Sequence, residues 1–163
     1  MEFKRLAELE RNDYLEFHEK IYREDLDEAT GTKNPRWKTV AGYYAMHGIT
    51  KLFLGKKFNV KIRPPGTHME TIEALRIFLK DEETKKKTLS LLKKAEDFIL
   101  SFRDMDDSLL PELLNEARIR RVKSQYYVNR LSLDYLKHVN AEAEGFIREI
   151  VLPYVKIIEE MLK

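Results

Sequence analysis

Apolar residues recur with a helical period along most of this chain. Phe3, Leu6, Tyr14, Phe17, Ile21 and Leu26 return at roughly 3.6-residue spacing and predict a first helix over about 2–28, which Gly31 stops. A second helix opens near Pro35, a residue suited to the first turn, and runs to about 54. At roughly 100° per residue, Trp37, Val40, Tyr43, Tyr44, Met46, Ile49, Leu52, Phe53 and Leu54 surround its whole circumference. A helix apolar on all sides is buried on all sides, so this one should be the centre of a bundle. Ala41, Ala45 and Gly48 form a small-residue strip where a neighbour can approach.

The stretch GKKFNVKIRPPG then reads as a loop with room for a short extended piece. Thr67 and Glu70 form the T-x-x-E signature of a capped third helix. A fourth covers about 83–103, and the turn RDMDDS leads to a fifth over about 108–131. Ser132 should cap a sixth that reaches the C-terminus with a kink at Pro153. The sum is an all-α, up-and-down helical bundle of about five to six helices, with 1–163 as one domain.

Composition narrows the class. Hydrophobic residues are 43% and charged residues 36%, which fits a folded, water-compatible chain rather than a disordered one. No apolar run approaches the ~20 residues that span a bilayer. The charged start MEFKRLAELERNDYLEF does not read as a signal peptide, so the expected location is cytoplasmic. Without cysteine there is no disulfide, thiol nucleophile or thiolate metal site. High charge, no cysteine and Gln125 as the single glutamine give a thermophile-like composition.

Net charge is +2, but its distribution says more. Residues 1–28 hold ten acids and five bases, a balance of −5. Residues 29–69 hold no acid and eight bases: Lys33, Arg36, Lys38, Lys51, Lys56, Lys57, Lys61 and Arg63. An acid-free basic stretch suggests a polyanionic partner. The competing explanation is that the acidic first helix lies over it.

The segment EARIRRVKSQYYVNR, residues 116–130, is the densest basic cluster. On a helical wheel Leu110, Leu113, Leu114, Ala117, Ser124, Val128 and Leu131 form an apolar stripe that contains Arg121, with Arg118 and Gln125 at its edge. Ile119, Val122 and Tyr126 lie nearly opposite, while Arg120 and Lys123 face solvent. A guanidinium in an apolar stripe must be paired or face a ligand, since an isolated buried charge is costly. A glutamate on a neighbouring helix is the structural alternative.

The histidines are His18, His47, His68 and His138, with no H-x-x-x-H pair, so no metal is expected. His47 reads as a satisfied core histidine. His68 stands in the first turn of the third helix, where backbone N–H groups favour anions. The phosphate-binding and nucleophile-elbow motifs are missing, and no cofactor is expected.

The order of elements carries a resemblance. Y-Y-A-M-H spans Tyr43 to His47, T-H opens the next helix at Thr67 and His68, and an R-x3-polar-Y element follows at Arg121, Gln125 and Tyr126. This resembles the HEPN superfamily, in its toxin–antitoxin-associated branch, over about 36–150. The acidic helix over 1–30 and the extension over 150–163 lie outside the likeness. The resemblance implies a helical homodimer with a basic cleft that binds RNA or a nucleotide, encoded beside a minimal nucleotidyltransferase. Active members are metal-independent endoribonucleases with an R-x(4–6)-H motif, in which arginine stabilises phosphorane-like charge and histidine moves the proton.

In this chain the motif falls on Arg121, and Tyr126 stands at the histidine position while Gln125 replaces the branch's aspartate. Tyrosine, with a pKa of about 10, is a poor base near neutrality. Arg121 and Tyr126 are thus the candidate catalytic pair. Arg118, Arg121, Gln125, Lys51, His68 and Arg63 are the candidate nucleotide or RNA contacts. Tyr126 and Tyr127 are conceivable acceptors for adenylylation by the nucleotidyltransferase. A structural protein-interaction subunit, whose basic segment meets an acidic protein, is the remaining alternative.

Overall fold

The computed structural model describes residues 2–63, 67–101 and 130–163. Its helices are α1 (Glu8–Gly31), α2 (Pro35–Phe58), α3 (Thr67–Phe78), α4 (82–101), α5 (Arg130–Phe146) and α6 (Leu152–Leu162). They form the expected all-α bundle. The expected fifth helix falls outside the described residues. Among the described residues, no helix is long and apolar enough to cross a membrane.

The chain's first residues depart from the expected helix. Lys4–Arg5 form a short strand, β1, paired antiparallel with β2 (Val60–Lys61), in the register Lys4 to Lys61 and Arg5 to Val60. The reason lies at the end of α2. That helix runs past Gly55 to Phe58 and stops at Asn59, whose backbone is left-handed at φ 57°. The Asn59 side-chain amide donates to Leu6 O at 3.2 Å, and Leu6 N–H donates to Asn59 O at 3.0 Å. Arg5 and Arg11 donate to the Phe58 and Lys56 carbonyls at 2.6 and 3.2 Å. Two cations thus satisfy carbonyls at the negative end of the helix dipole, and β1 is tied across it.

Helix α2 is the centre of the bundle, as its pattern predicted. Pro35 occupies the first turn, and the Asn34 side chain accepts the Arg36 and Trp37 N–H groups at 3.0 and 3.3 Å. Fifteen of its 24 residues are buried, and it touches α1, α3, α5 and α6. Met46, Ile49 and Leu54 are sealed from solvent, which stabilises by about 1.5–3 kcal/mol each.

The small-residue strip does admit a neighbour: a Cβ on Gly48 would lie 3.0 Å from Tyr22 Cβ of α1. Gly55 has the same job rather than ending the helix. A Cβ there would meet Leu15 Cδ2 and Tyr14 Cε1, each at 3.0 Å. Glycine spacing therefore sets how closely α1 lies on α2.

Two further boundaries differ from expectation. Backbone is already helical at Arg130, so Ser132 lies inside α5 and not at its cap. A hydroxyl residue permits a cap but does not impose one. The break expected at Pro153 takes the form of a π-turn over Ile147–Val151, just before it. Leu152 N–H donates to Ile147 O, five residues back. Proline has no N–H to give to the preceding turn, and the shifted hydrogen-bond register absorbs that loss.

Candidate functional site

The fold gathers a group of nitrogen bases from three helices. On α2, Tyr43, His47 and Lys51 follow at four-residue intervals and share one face. His68 comes from the first turn of α3, and His18 from α1. The His47 and His68 rings stack at 4.1 Å between centroids, with planes 19° apart. Tyr43 packs edge-on against both, at 4.7 Å from His47 and 5.0 Å from His68. Tyr44 sets its ring against the other side of this group, 6.3 Å from His68.

His47 is the unusual member. It is 1% exposed, and neither ring nitrogen has a hydrogen-bond partner among the described residues. The sequence suggested a satisfied core histidine; it is in the core, but the described residues do not satisfy it. Leaving a buried donor or acceptor unpaired costs about 1–3 kcal/mol per group. Such a cost marks a place where a missing partner would bind well.

Electrostatics point the same way. Burial pushes His47 down to about 3, aided by the fields of His68 and Lys51. His68 is also lowered, by burial and then Lys51, while Glu96 of α4 pulls in the opposite direction. His18 falls to about 4 through burial and then Lys51. Lys51 is itself lowered by burial, and it makes no ion pair or hydrogen bond among the described residues. Burial lifts Tyr43 to about 12, with Glu96 and Tyr44 adding to the effect. Burial thus disfavours the protonated form of all three histidines, and the Lys51 charge adds to it. An anion placed beside the half-buried His68 would offset the Lys51 charge and favour the protonated form of His68.

The acidic first helix does lie on the basic segment, but it compensates only part of it. Lys61 pairs with Glu10 of α1. Lys38 pairs with Glu144 of α5 at 3.0 Å and also donates to Ala29 O at 3.1 Å. Imidazole lone pairs lie in the ring plane, so two stacked rings do not aim at a common point. Among the described residues no group of three or more His, Asp or Glu side chains could hold a metal ion.

Of the residues named from sequence, Lys51 and His68 come together here. Arg63 does not join them: its side chain is exposed, and its backbone N–H donates to the Glu70 carboxylate at 3.2 Å. Arg118, Arg121, Gln125, Tyr126 and Tyr127 lie outside the described residues. Sequence reasoning missed His47 and His18. The four-residue row Tyr43–His47–Lys51 was the available signal for His47. His18 carried none, because only the packing of α1 on α2 brings it near Lys51. Comparison of the chain with protein-family models, curated proteins and solved structures finds no match, so the site is read from its own residues.

Proposed function

We propose that this chain is a HEPN-like module that binds RNA or a nucleotide, taking a phosphate at Lys51 and His68 with His47 behind them. The observation that carries this reading is His68 stacked at 4.1 Å on a buried His47, one turn from Lys51, with both His47 nitrogens unpaired among the described residues. A phosphate is an acceptor-rich dianion, and it matches a cluster of donors with one uncompensated positive charge. On this reading the chain acts as a homodimer and as the partner of a minimal nucleotidyltransferase in a toxin–antitoxin-type pair. Those two features rest on the resemblance alone.

The test is fluorescence anisotropy with labelled RNA oligonucleotides and with a labelled nucleotide. Lys51→Ala and His68→Ala should each weaken binding about tenfold or more, in line with a charge-assisted contact. Binding should also fall with salt, by about 0.7 in log–log slope per phosphate contact. Unchanged affinity in both variants at low salt refutes the site.

A second reading is a metal-independent endoribonuclease. The half-buried His68, stacked on a second histidine and close to a lysine, favours it. Imidazole is the side chain suited to moving protons near neutrality, and it needs no metal. Cleavage of RNA in EDTA that His68→Ala abolishes would establish it. No cleavage across substrates leaves the binding module.

A further inference from the structure

Helix α2 also carries large aromatic side chains that the bundle leaves outside. Trp37 is 58% exposed and Tyr44 52% exposed, on a helix that otherwise buries its apolar residues. Trp37, Tyr44 and Lys51 are spaced seven residues apart, so they fall on one stripe that drifts only ~20° per step. At 1.5 Å per residue, neighbours on this stripe lie about 10 Å apart. Tyr44 leans on His68, so the stripe runs directly into the histidine cluster. The 24 residues of α2 include no acid, and Arg36, Lys51, Lys56 and Lys57 keep some exposure, whereas Lys38 is buried against Glu144.

We infer that this stripe is a track for single-stranded RNA, with one nucleobase stacking on Trp37, another on Tyr44, and the backbone phosphate beyond them held at Lys51 and His68. The inference rests on the RNA-binding reading and makes it specific. Three points favour a single strand. Flat exposed rings offer every base a stacking surface whatever its sequence. A gap of ~10 Å between rings exceeds the ~3.4 Å step of stacked bases, so the bases must be splayed apart, as only unpaired nucleotides allow. The acid-free helix matches the charge of a backbone running along it. An acidic protein segment would match the charge but has no use for two rings at this spacing.

Trp37 is the chain's single tryptophan, so it reports on its own site. The experiment titrates the full-length chain with an oligouridylate of about ten nucleotides and with an abasic ribose-phosphate oligomer of equal length, at low salt. Expected results are quenching of Trp37 emission by oligouridylate and at least tenfold weaker binding of the abasic strand. Tyr44→Ala and Trp37→Ala should each lose roughly tenfold in affinity for oligouridylate, measured by anisotropy, and nothing for the abasic strand. Both side chains face solvent, so far-UV circular dichroism should be unchanged.

The track is overturned if oligouridylate binding depends on Lys51 and His68 but leaves Trp37 emission and both aromatic variants unaffected. In that case the phosphate site survives alone. Absence of binding by either strand overturns the RNA reading as a whole. If Trp37→Ala and Tyr44→Ala change only the sedimentation of the chain, the stripe is a contact between copies, and the track is overturned as well.

Discussion

Lowering the pH from 7 to 5 protonates an unfolded histidine but not a buried one held near 3. His47 therefore couples stability to pH. In the unfolded chain its pKa is the ordinary 6.5; in the folded chain it is about 3. Between these values the unfolded state binds the extra proton, so stability is full above about 6.5 and is lost as pH falls toward 3. The slope approaches 1.36 kcal/mol per pH unit, and integration from pH 7 to 5 gives a loss of about 2 kcal/mol from this one residue. The assay is urea unfolding followed by far-UV circular dichroism at pH 7, 6 and 5. The comparison is with His47→Leu, which removes the titrating group at similar size. The variant should lose about 2 kcal/mol less than the parent over the same pH range. At pH 7 it should change stability little, because Leu replaces two unpaired polar atoms with apolar ones. An identical pH dependence in both proteins would refute the burial of a neutral, unpartnered imidazole at this position.

Gly48→Leu should destabilise by about 1–3 kcal/mol, read as a lower urea midpoint with an unchanged slope, since Tyr22 leaves no room for a side chain. Tyr154→Phe should cost about 1 kcal/mol in the same assay. Thr50 donates to Met46 O at 2.7 Å and accepts from the Tyr154 hydroxyl at 2.6 Å in a sealed part of the core, and the variant removes the second bond. Asn59→Ala should cost about 1–2 kcal/mol, because it strains a left-handed backbone position and deletes the bond to Leu6. Melting of the β1–β2 pairing should accompany that loss, seen as faster amide exchange at Leu6.

The bundle and its central helix were legible because helical burial is a local, periodic property. Every third or fourth position of α2 is apolar on every side, and only a surrounded helix has that pattern. The start of α2 was legible for the same reason: Pro35 acts on its own turn. Boundaries that depend on distant partners were not legible. Leu6 continues a helical pattern, yet it pairs with Asn59, more than fifty residues away. Gly55 looks like a helix stop, yet α1 lies against it and the helix continues.

The candidate site divides along the same line. Sequence marked Lys51 through an acid-free stretch and His68 through its place in the first turn of α3. Charge balance and capping positions are counted along the chain, so one strand of letters contains them. It could not show that His47 has no partner among the described residues, because satisfaction of a buried polar atom depends on every element packed around it. Nor could it bring His18 and α1 onto α2, since that packing depends on distant contacts such as those at Gly48 and Gly55. The sequence alone determined the all-α class, the central helix and its basic character. Tertiary packing alone decided that His68 should stack on a buried His47, one turn from Lys51.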